Sequence, residues 1–271
     1  MASDVTSNPH DFPKRRIGKV PFRVAKLSAA VSSLCALAQQ PRRATSVHFA
    51  NAYSVALADT EAQYAAVLSN PEALTFSDGV PVTWVGKRAF PDLASDWQRV
   101  YGPDVMTGVF DQCQAQDLPV SHYLLGGAPE TLAALVAAIE RRWPRVRIAG
   151  AESPPFRPLS REEKEEQRDR ILSSGATMVW VGLGTPKQDF VTQTLCAELN
   201  AVVLAVGAAF DFLAGSKPQA PQWMQRTGTE WLYRLATEPR RLARRYFWGN
   251  PRFLVAAARE PGLRRPKHIS R

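Results

Sequence analysis

The stretch EALTFSDGVPVTW, residues 72–84, decides how the fold is read. Four residues of β character, LTFS (74–77), stop at Asp78-Gly79, and a new apolar pattern opens around Pro81. Proline suits the first turn of a helix, where its missing N–H has no partner to lose, so this is a strand handing over to a helix at an acidic residue. Comparable β-rich runs are VHFA (47–50), SHYLL (121–125), VRIAG (146–150), TMVWVG (177–182) and VVLAVG (202–207), separated by longer patterns of helical period. Strand and helix in alternation predict an α/β fold, a parallel sheet with helices on both faces.

Two further handovers carry turn chemistry, Gly126-Gly127 before Pro129 and Gly182-x-Gly184 before Pro186. Ligands in such folds collect at the carboxyl ends of the strands, where backbone N–H groups at helix starts favour anions. Gly127 is a candidate contact on that ground. VGLGTPKQD (181–189) lacks the full G-x-G-x-x-G and its downstream acid, so it is a weak dinucleotide signature. Its Lys187 and Gln188 fall in the first helical turn. A lysine there opposes the helix dipole, and a bound phosphate or sugar would remove the conflict; an exposed lysine is the alternative.

Asp78 has two readings. It caps the helix that follows, which aspartate does well, or it is a general base, a carboxylate held at the sheet's rim beside a bound hydroxyl. Asn51, in HFANAYS (48–54), likewise caps a helix or hydrogen-bonds a sugar hydroxyl. His48 reads as a core or edge residue. SREEKEEQRDRIL (160–172) reads as a solvated helix opened by a serine cap.

With 271 residues, 45% of them apolar, the chain can bury a sizeable core. Three scattered cysteines offer neither a disulfide framework nor a zinc spacing, which fits a reducing compartment. The longest apolar run, Ala201 to Phe210, falls far short of the ~20 residues that span a bilayer. Residues 1–15 are polar and read as a mobile leader, residues 16–219 as the α/β core. Residues 220–271 carry 12 Lys/Arg against three Asp/Glu and residues 1–219 carry 22 of each sign, so the whole net charge of +9 sits in the last fifth of the chain. That segment mixes arginines with Trp231, Leu235 and Leu242 at helical spacing and reads as a basic helical appendage facing an anionic partner.

No D-x-D, H-E-x-x-H, G-x-x-x-x-G-K-[ST] or G-x-S-x-G occurs, so a departing diphosphate would have to be met by protein cations. Asn51, Asp78-Gly79, YGPDVM (101–106), LLGGAPE (124–130), VGLGTPKQD (181–189), AAFDFLAG (208–215), APQWMQRTGTEWLYRLATEPRRLARRY (220–246) and GNPRFL (249–254) together resemble the WecG/TagA/CpsF glycosyltransferases, over about residues 16–258.

The resemblance implies a Rossmann-like core with a membrane-docking appendage, and a bacterial, inverting transferase that uses neither metal nor cofactor. The donor would be a UDP-sugar carrying a hexose or N-acetylhexosamine, and the acceptor a sugar on a polyprenyl diphosphate. The enzyme would be cytoplasmic and peripheral at the inner face of the plasma membrane, on anionic lipid, with room for an oligomer. By motif, Asp78 corresponds to the base, Asn51 and Gln188 to sugar ligands, Asp211 to a nucleotide contact, and Phe156 to an aromatic beside uracil. Arg234, Arg241 and Arg244 correspond to the appendage arginines, which can grip diphosphate oxygens two at a time. Relatives often carry Thr-x-Asn where this chain has Phe49-Ala50-Asn51, and Lys-Gln-Glu where it has Lys187-Gln188-Asp189. The donor therefore stands open between an N-acetylmannosamine and a glucose type. Two other classes compete: a nucleic-acid clamp, whose arginines and aromatics would hold phosphates and stack bases, and a nucleotide-dependent oxidoreductase. The apolar stripe beside the cations favours a membrane or an intramolecular groove over nucleic acid.

Overall fold

The computed structural model describes residues 8–40 and 44–264. Of the expected leader, residues 1–7 lie outside the described residues. From Asn8 onward the chain is built into the fold: a 3-10 turn at Pro9–Asp11 precedes a hairpin of β1 (Lys14–Ile17) and β2 (Val20–Arg23), with Gly18 at φ 59 in its turn. The hairpin escapes a sequence reading because its strands are four residues long, with arginine and proline where β formers are looked for.

The core then alternates α1 (Leu27–Ala38), β3 (Thr45–Ala50), α2 (Ala52–Thr60), α3 (Ala62–Ser69), β4 (Ala73–Ser77), α4 (Val80–Ala89), α5 (Gly102–Gln116), β5 (Ser121–Gly126), α6 (Pro129–Arg142), β6 (Arg147–Glu152), α7 (Arg161–Ser173), β7 (Met178–Gly182), α8 (Lys187–Glu198), β8 (Val202–Ala205) and α9 (Ala209–Leu213). Six strands form one parallel sheet in the order β4-β3-β8-β7-β5-β6. The runs VHFA, LTFS, SHYLL, VRIAG, TMVWVG and VVLAVG fall on these strands. Ser160 and Glu163 form the capping box of α7.

Both faces are covered, which is why the central strands β7 and β8 are apolar throughout, while β3 and β5 carry the buried His48 and His122. On one face α1, α5 and α6 bury Leu34, Met106, Phe110, Leu135 and Ile139 against Phe76, Leu124 and Trp180. On the other, Ile171 of α7 and Leu195 and Cys196 of α8 pack on Leu125, Val179, Val181 and Val203. Toward the β4 edge a third cluster joins Ile17 and Phe22 of the hairpin, Val55, Tyr64, Leu68, Val82 and Trp97. His48 is indeed interior. Its Nδ1 meets Asp189 Oδ1 at 2.9 Å, and the Tyr64 hydroxyl donates to Asp189 Oδ2 at 3.0 Å. Asp189 is thereby committed to joining β3, α3 and α8.

After Gly215 the chain is helical: α10 (Gln222–Thr227), α11 (Glu230–Thr237), α12 (Pro239–Ala258) and α13 (Pro261–Arg264). The second half of α12 is part of the core. Phe253, Ala256 and Ala257 are buried in the third cluster, and Trp248 meets the Tyr53 ring edge-on at 5.9 Å. At its end Glu260 accepts the Gly18 N–H at 2.8 Å and Arg259 pairs with Asp59 at 3.1 Å. The hairpin thus forms the seat for the end of α12.

Candidate active site

Parallel order brings the carboxyl ends of all six strands to one rim, and the connections leave that rim in opposite directions. The chain leaves β5 toward β6, whereas it leaves β7 toward β8, so the crevice between β5 and β7 is a topological switch point. Its walls are the two glycine turns. Gly127, at φ 73, donates its N–H to the Gly182 carbonyl at 3.2 Å and accepts from the Ser153 hydroxyl at 2.7 Å. A Cβ on Gly182 would lie 2.8 Å from the Phe210 ring, so only glycine fits there.

Asp78 lies at the end of β4, three strand spacings from β7, about 14 Å at the usual separation. An extended nucleoside diphosphate sugar is about that long.

Asp78 does not cap the helix that follows it, since α4 has Gly79 at its N-cap and no side-chain cap. Its Oδ1 accepts the N–H of Gly102 at 3.3 Å, the first residue of α5, and its Oδ2 accepts from Asn51 Nδ2 at 3.4 Å. Burial pushes the carboxyl up to about 6. Arg99, the Gly102 amide and Asn51 pull it down, and Glu230 adds to the rise. A carboxyl so tuned is ionised at neutral pH yet close enough to neutrality to take a proton.

Asn51 fulfils its capping role: its Oδ1 accepts from the amides of Tyr53 at 3.0 Å and Ser54 at 3.3 Å, which turns its Nδ2 toward Asp78. A third donor reaches the same oxygen, Arg245 Nη2 at 3.4 Å. Arg245 also lies over the Tyr53 ring, 4.2 Å from its centroid, and its Nε is buried with no hydrogen-bond partner. Burial holds this guanidinium below its usual range, with Arg234 acting in the same direction. A shielded cation beside the positive end of α2 is a place that wants an anion.

From α11, Arg234 lies 5.9 Å from the centroid of the Phe212 ring. Burial pulls its guanidinium down, but Tyr101, Tyr246, Glu230 and Asp78 outweigh it and hold it above the ordinary value. One turn earlier Glu230 pairs with Arg99 at 2.6 Å and accepts from the Tyr101 hydroxyl at 3.1 Å. The sequence-predicted Asp78, Asn51 and Arg234 are therefore brought together, and Arg99, Tyr101, Glu230 and Arg245 join them. Tyr101 opens YGPDVM, a motif without an assigned role, and Glu230 and Arg245 lie inside the 220–246 motif without a role of their own; Arg99 carries no local signal, because only the docking of the appendage on the α5 approach reveals it.

The remaining candidates stand apart. The Gln188 amide is spent inside the protein, accepting from Gly184 N–H at 2.9 Å and donating to the Ala205 carbonyl at 3.2 Å, so it shapes the β7 turn. Lys187 is exposed beside it. Asp211 is held by Lys217 at 3.1 Å. Phe156, in the loop after β6, is 94% exposed. Arg244 lies on the outer face of α12, and the side chain of Arg241 lies outside the described residues. Phe49 is buried and stacked on Phe76 at 6.2 Å, so its ring belongs to the core. A recess of about 500 Å³ between α5, α6 and α9 is lined by Asp104 and by Phe212, the ring that Arg234 approaches, so it borders the neighbourhood of Asp78. Among the described residues no three His, Cys, Asp or Glu side chains gather as a metal set, and no helix is long and apolar enough to cross a membrane.

The model of the Glycosyl transferase WecG/TagA/CpsF family matches residues 15–267, from the first hairpin strand past the last described helix.

Proposed function

We propose that this chain, which belongs to the WecG/TagA/CpsF glycosyltransferases, is an inverting, metal-independent enzyme moving a hexose or N-acetylhexosamine from a UDP-sugar to a sugar on a polyprenyl diphosphate. The family already makes it a glycosyltransferase of cell-envelope polysaccharide synthesis, with a sugar donor and a lipid-linked acceptor. The observation that carries the finer reading is that Asn51, which donates to the Asp78 carboxylate, also accepts from Arg245 of the appendage, so the carboxylate and an appendage cation share one partner at the rim.

In the reaction, an acceptor hydroxyl gives its proton to Asp78 while its oxygen bonds to the anomeric carbon. The bond from that carbon to the β-phosphate oxygen breaks on the opposite face, so the configuration inverts and UDP departs with the electron pair. Asn51 holds the Asp78 carboxylate in place. Arg234 and Arg245 meet the charge growing on the diphosphate, a contribution worth ~3 to 4 kcal/mol for a well-placed donor. The glycine turns of β5 and β7 accept the nucleotide, with Gly127 beside it. The sugar, N-acetylmannosamine or glucose type, extends toward β4.

Peripheral attachment at the inner face of the plasma membrane is supported by the outward stripe of α12. Arg240, Arg244, Phe247, Leu254 and Val255 are all exposed there, Phe247 at 78%, which pairs cations with apolar side chains as an anionic lipid surface requires.

A panel of UDP-sugars is incubated with a short-chain polyprenyl diphosphate sugar, and UDP release and product are followed. Wild type transfers one of them, and Asp78→Asn binds UDP but transfers at least ~10²-fold more slowly. Loss of UDP binding together with transfer would make Asp78 a structural residue.

A further inference from the structure

The segment leading into α5 makes an unusual set of contacts. Arg99 donates from Nε to the carbonyl of Asp78 at 2.9 Å, and its guanidinium lies over the Tyr101 ring, 3.8 Å from the centroid. Its Nη2 is taken by Glu230 Oε2 at 2.6 Å, while the other oxygen of Glu230 accepts from the Tyr101 hydroxyl at 3.1 Å. Both carboxylate oxygens of one appendage residue are therefore held by the two side chains that flank Val100. The Arg99 and Glu230 side chains are only 17% and 14% exposed, so this ion pair is shielded from water and salt.

Glu230 and Arg234 are one helical turn apart and face the same way. Both belong to α11, so the placement of that helix that sets Arg234 near the rim also sets Glu230 on Arg99. Remove that carboxylate, and a guanidinium already bonded to the backbone of Asp78 has lost its partner next to an anionic side chain. Turning to the Asp78 carboxylate is then the nearest way to satisfy it.

We propose that Glu230 is a positioning residue: by taking Arg99 as its partner it keeps that guanidinium off the Asp78 carboxylate, so seating of the C-terminal helices leaves the base free to accept a proton. The inference rests on the reading of Asp78 as the base. The groups facing Asp78 fit the division of labour. Arg99, Tyr101 and the Gly102 amide face it from the approach to α5, Asn51 from the start of α2, and Glu230 and Arg234 from α11; Asp104 and Arg245 stand one contact further out.

The test follows the side-chain carboxyl carbons of ¹³C-labelled aspartates in the full chain by NMR across pH, with the Asp78 signal assigned by its loss in Asp78→Asn. In Glu230→Gln the Asp78 midpoint should fall by ~1 pH unit, because a negative neighbour is lost and a positive one gained. Glu230→Asp keeps the charge and should stay near wild type, as should Tyr101→Phe, which loosens the contact without touching charge. An unmoved midpoint in Glu230→Gln overturns the proposal. So does an equal shift in Tyr101→Phe, since the contact would then act by docking alone. A transfer-competent Asp78→Asn enzyme would instead remove the base assignment while leaving the titration result standing, so the two failures are told apart.

Discussion

Replacing Asp78 by asparagine should make the protein more stable and less active at once. The carboxyl is raised from an ordinary 3.8 to about 6, chiefly by burial. A shift of two units corresponds to ~3 kcal/mol of differential interaction. The sign follows from proton uptake: between pH 3.8 and 6 the folded state holds a proton that the unfolded state has lost, so stability falls as pH rises through that window. Above it the full cost is in place, and below it the cost is absent. Asparagine keeps an acceptor for the Gly102 N–H but turns a donor toward Asn51 Nδ2, a mismatch of ~1 kcal/mol at that 3.4 Å contact. The net gain at pH 7.5 is then ~1 to 2 kcal/mol, or roughly 2–8 °C in Tm for a chain of this size. At pH 4 the gain should shrink to near zero. Transfer should fall by ~10² to 10⁴-fold, the usual share of a general base, and wild-type kcat/KM should drop tenfold per unit below about pH 6. Thermal denaturation at the two pH values, run beside the transfer assay, decides it. A variant destabilised at pH 7.5 would show that the carboxylate is held for the fold and not for chemistry.

Arg245→Gln should lower kcat by ~10²-fold while leaving Tm unchanged or raised, because a cation with an unpaired buried Nε is held at the fold's expense; a large fall in Tm with normal turnover would make it structural. Treatment with a chelator should leave the rate of transfer unchanged, and a rate restored only by added divalent ion would refute the cation-based account. Phe247→Glu with Leu254→Glu should abolish binding to vesicles rich in anionic lipid while UDP binding persists, since both side chains are exposed on α12; persistent flotation with the vesicles would place the membrane face elsewhere. Phe253→Ala should destabilise the whole protein by ~3 kcal/mol in urea unfolding, because this appendage residue is buried in the core.

The parts of the fold legible in the sequence were those with local signatures. Strands such as TMVWVG and VVLAVG are apolar without interruption because both faces of the sheet are covered, and each ends at a glycine or acid that marks the rim. Ser160 announces α7 through its cap. Asp78 and Asn51 were visible as residue types in the right place, but their partnership was not, because it joins the ends of two strands 27 residues apart. The appendage was legible as cationic and amphipathic, and that same emphasis hid its acid. Glu230 lies in a segment counted for its arginines, and its partner Arg99 is 131 residues away in a loop with no period to read. Lys187 and Gln188 were read outward, toward a ligand, and Lys187 is exposed, whereas Gly184 and Ala205 claim Gln188 from inside.

The appendage is held in two different ways, and that difference constrains how the site can open. Its far end is fixed by apolar burial: Phe253, Ala256 and Ala257 sit among Ile17, Phe22 and Val55, and Glu260 caps the hairpin turn at Gly18. Deleting residues 220–271 would therefore strip a face of the core and leave the hairpin without its seat, so loss of turnover in that truncation would say little about the arginines. The near end buries only Leu242 and Ala220 among its described apolar side chains and otherwise rests on polar contacts, Glu230 with Arg99 and Tyr101, and Arg245 with Asn51. Polar pairs exchange for water at small net cost, whereas the burial of a phenylalanine does not. Any opening that admits a lipid-linked acceptor should then pivot on the second half of α12, lifting α11 and Arg234 from the rim while the hairpin stays clasped. Arg234, proposed to meet the leaving diphosphate, and Glu230, proposed to keep Arg99 off the base, would then leave and return together.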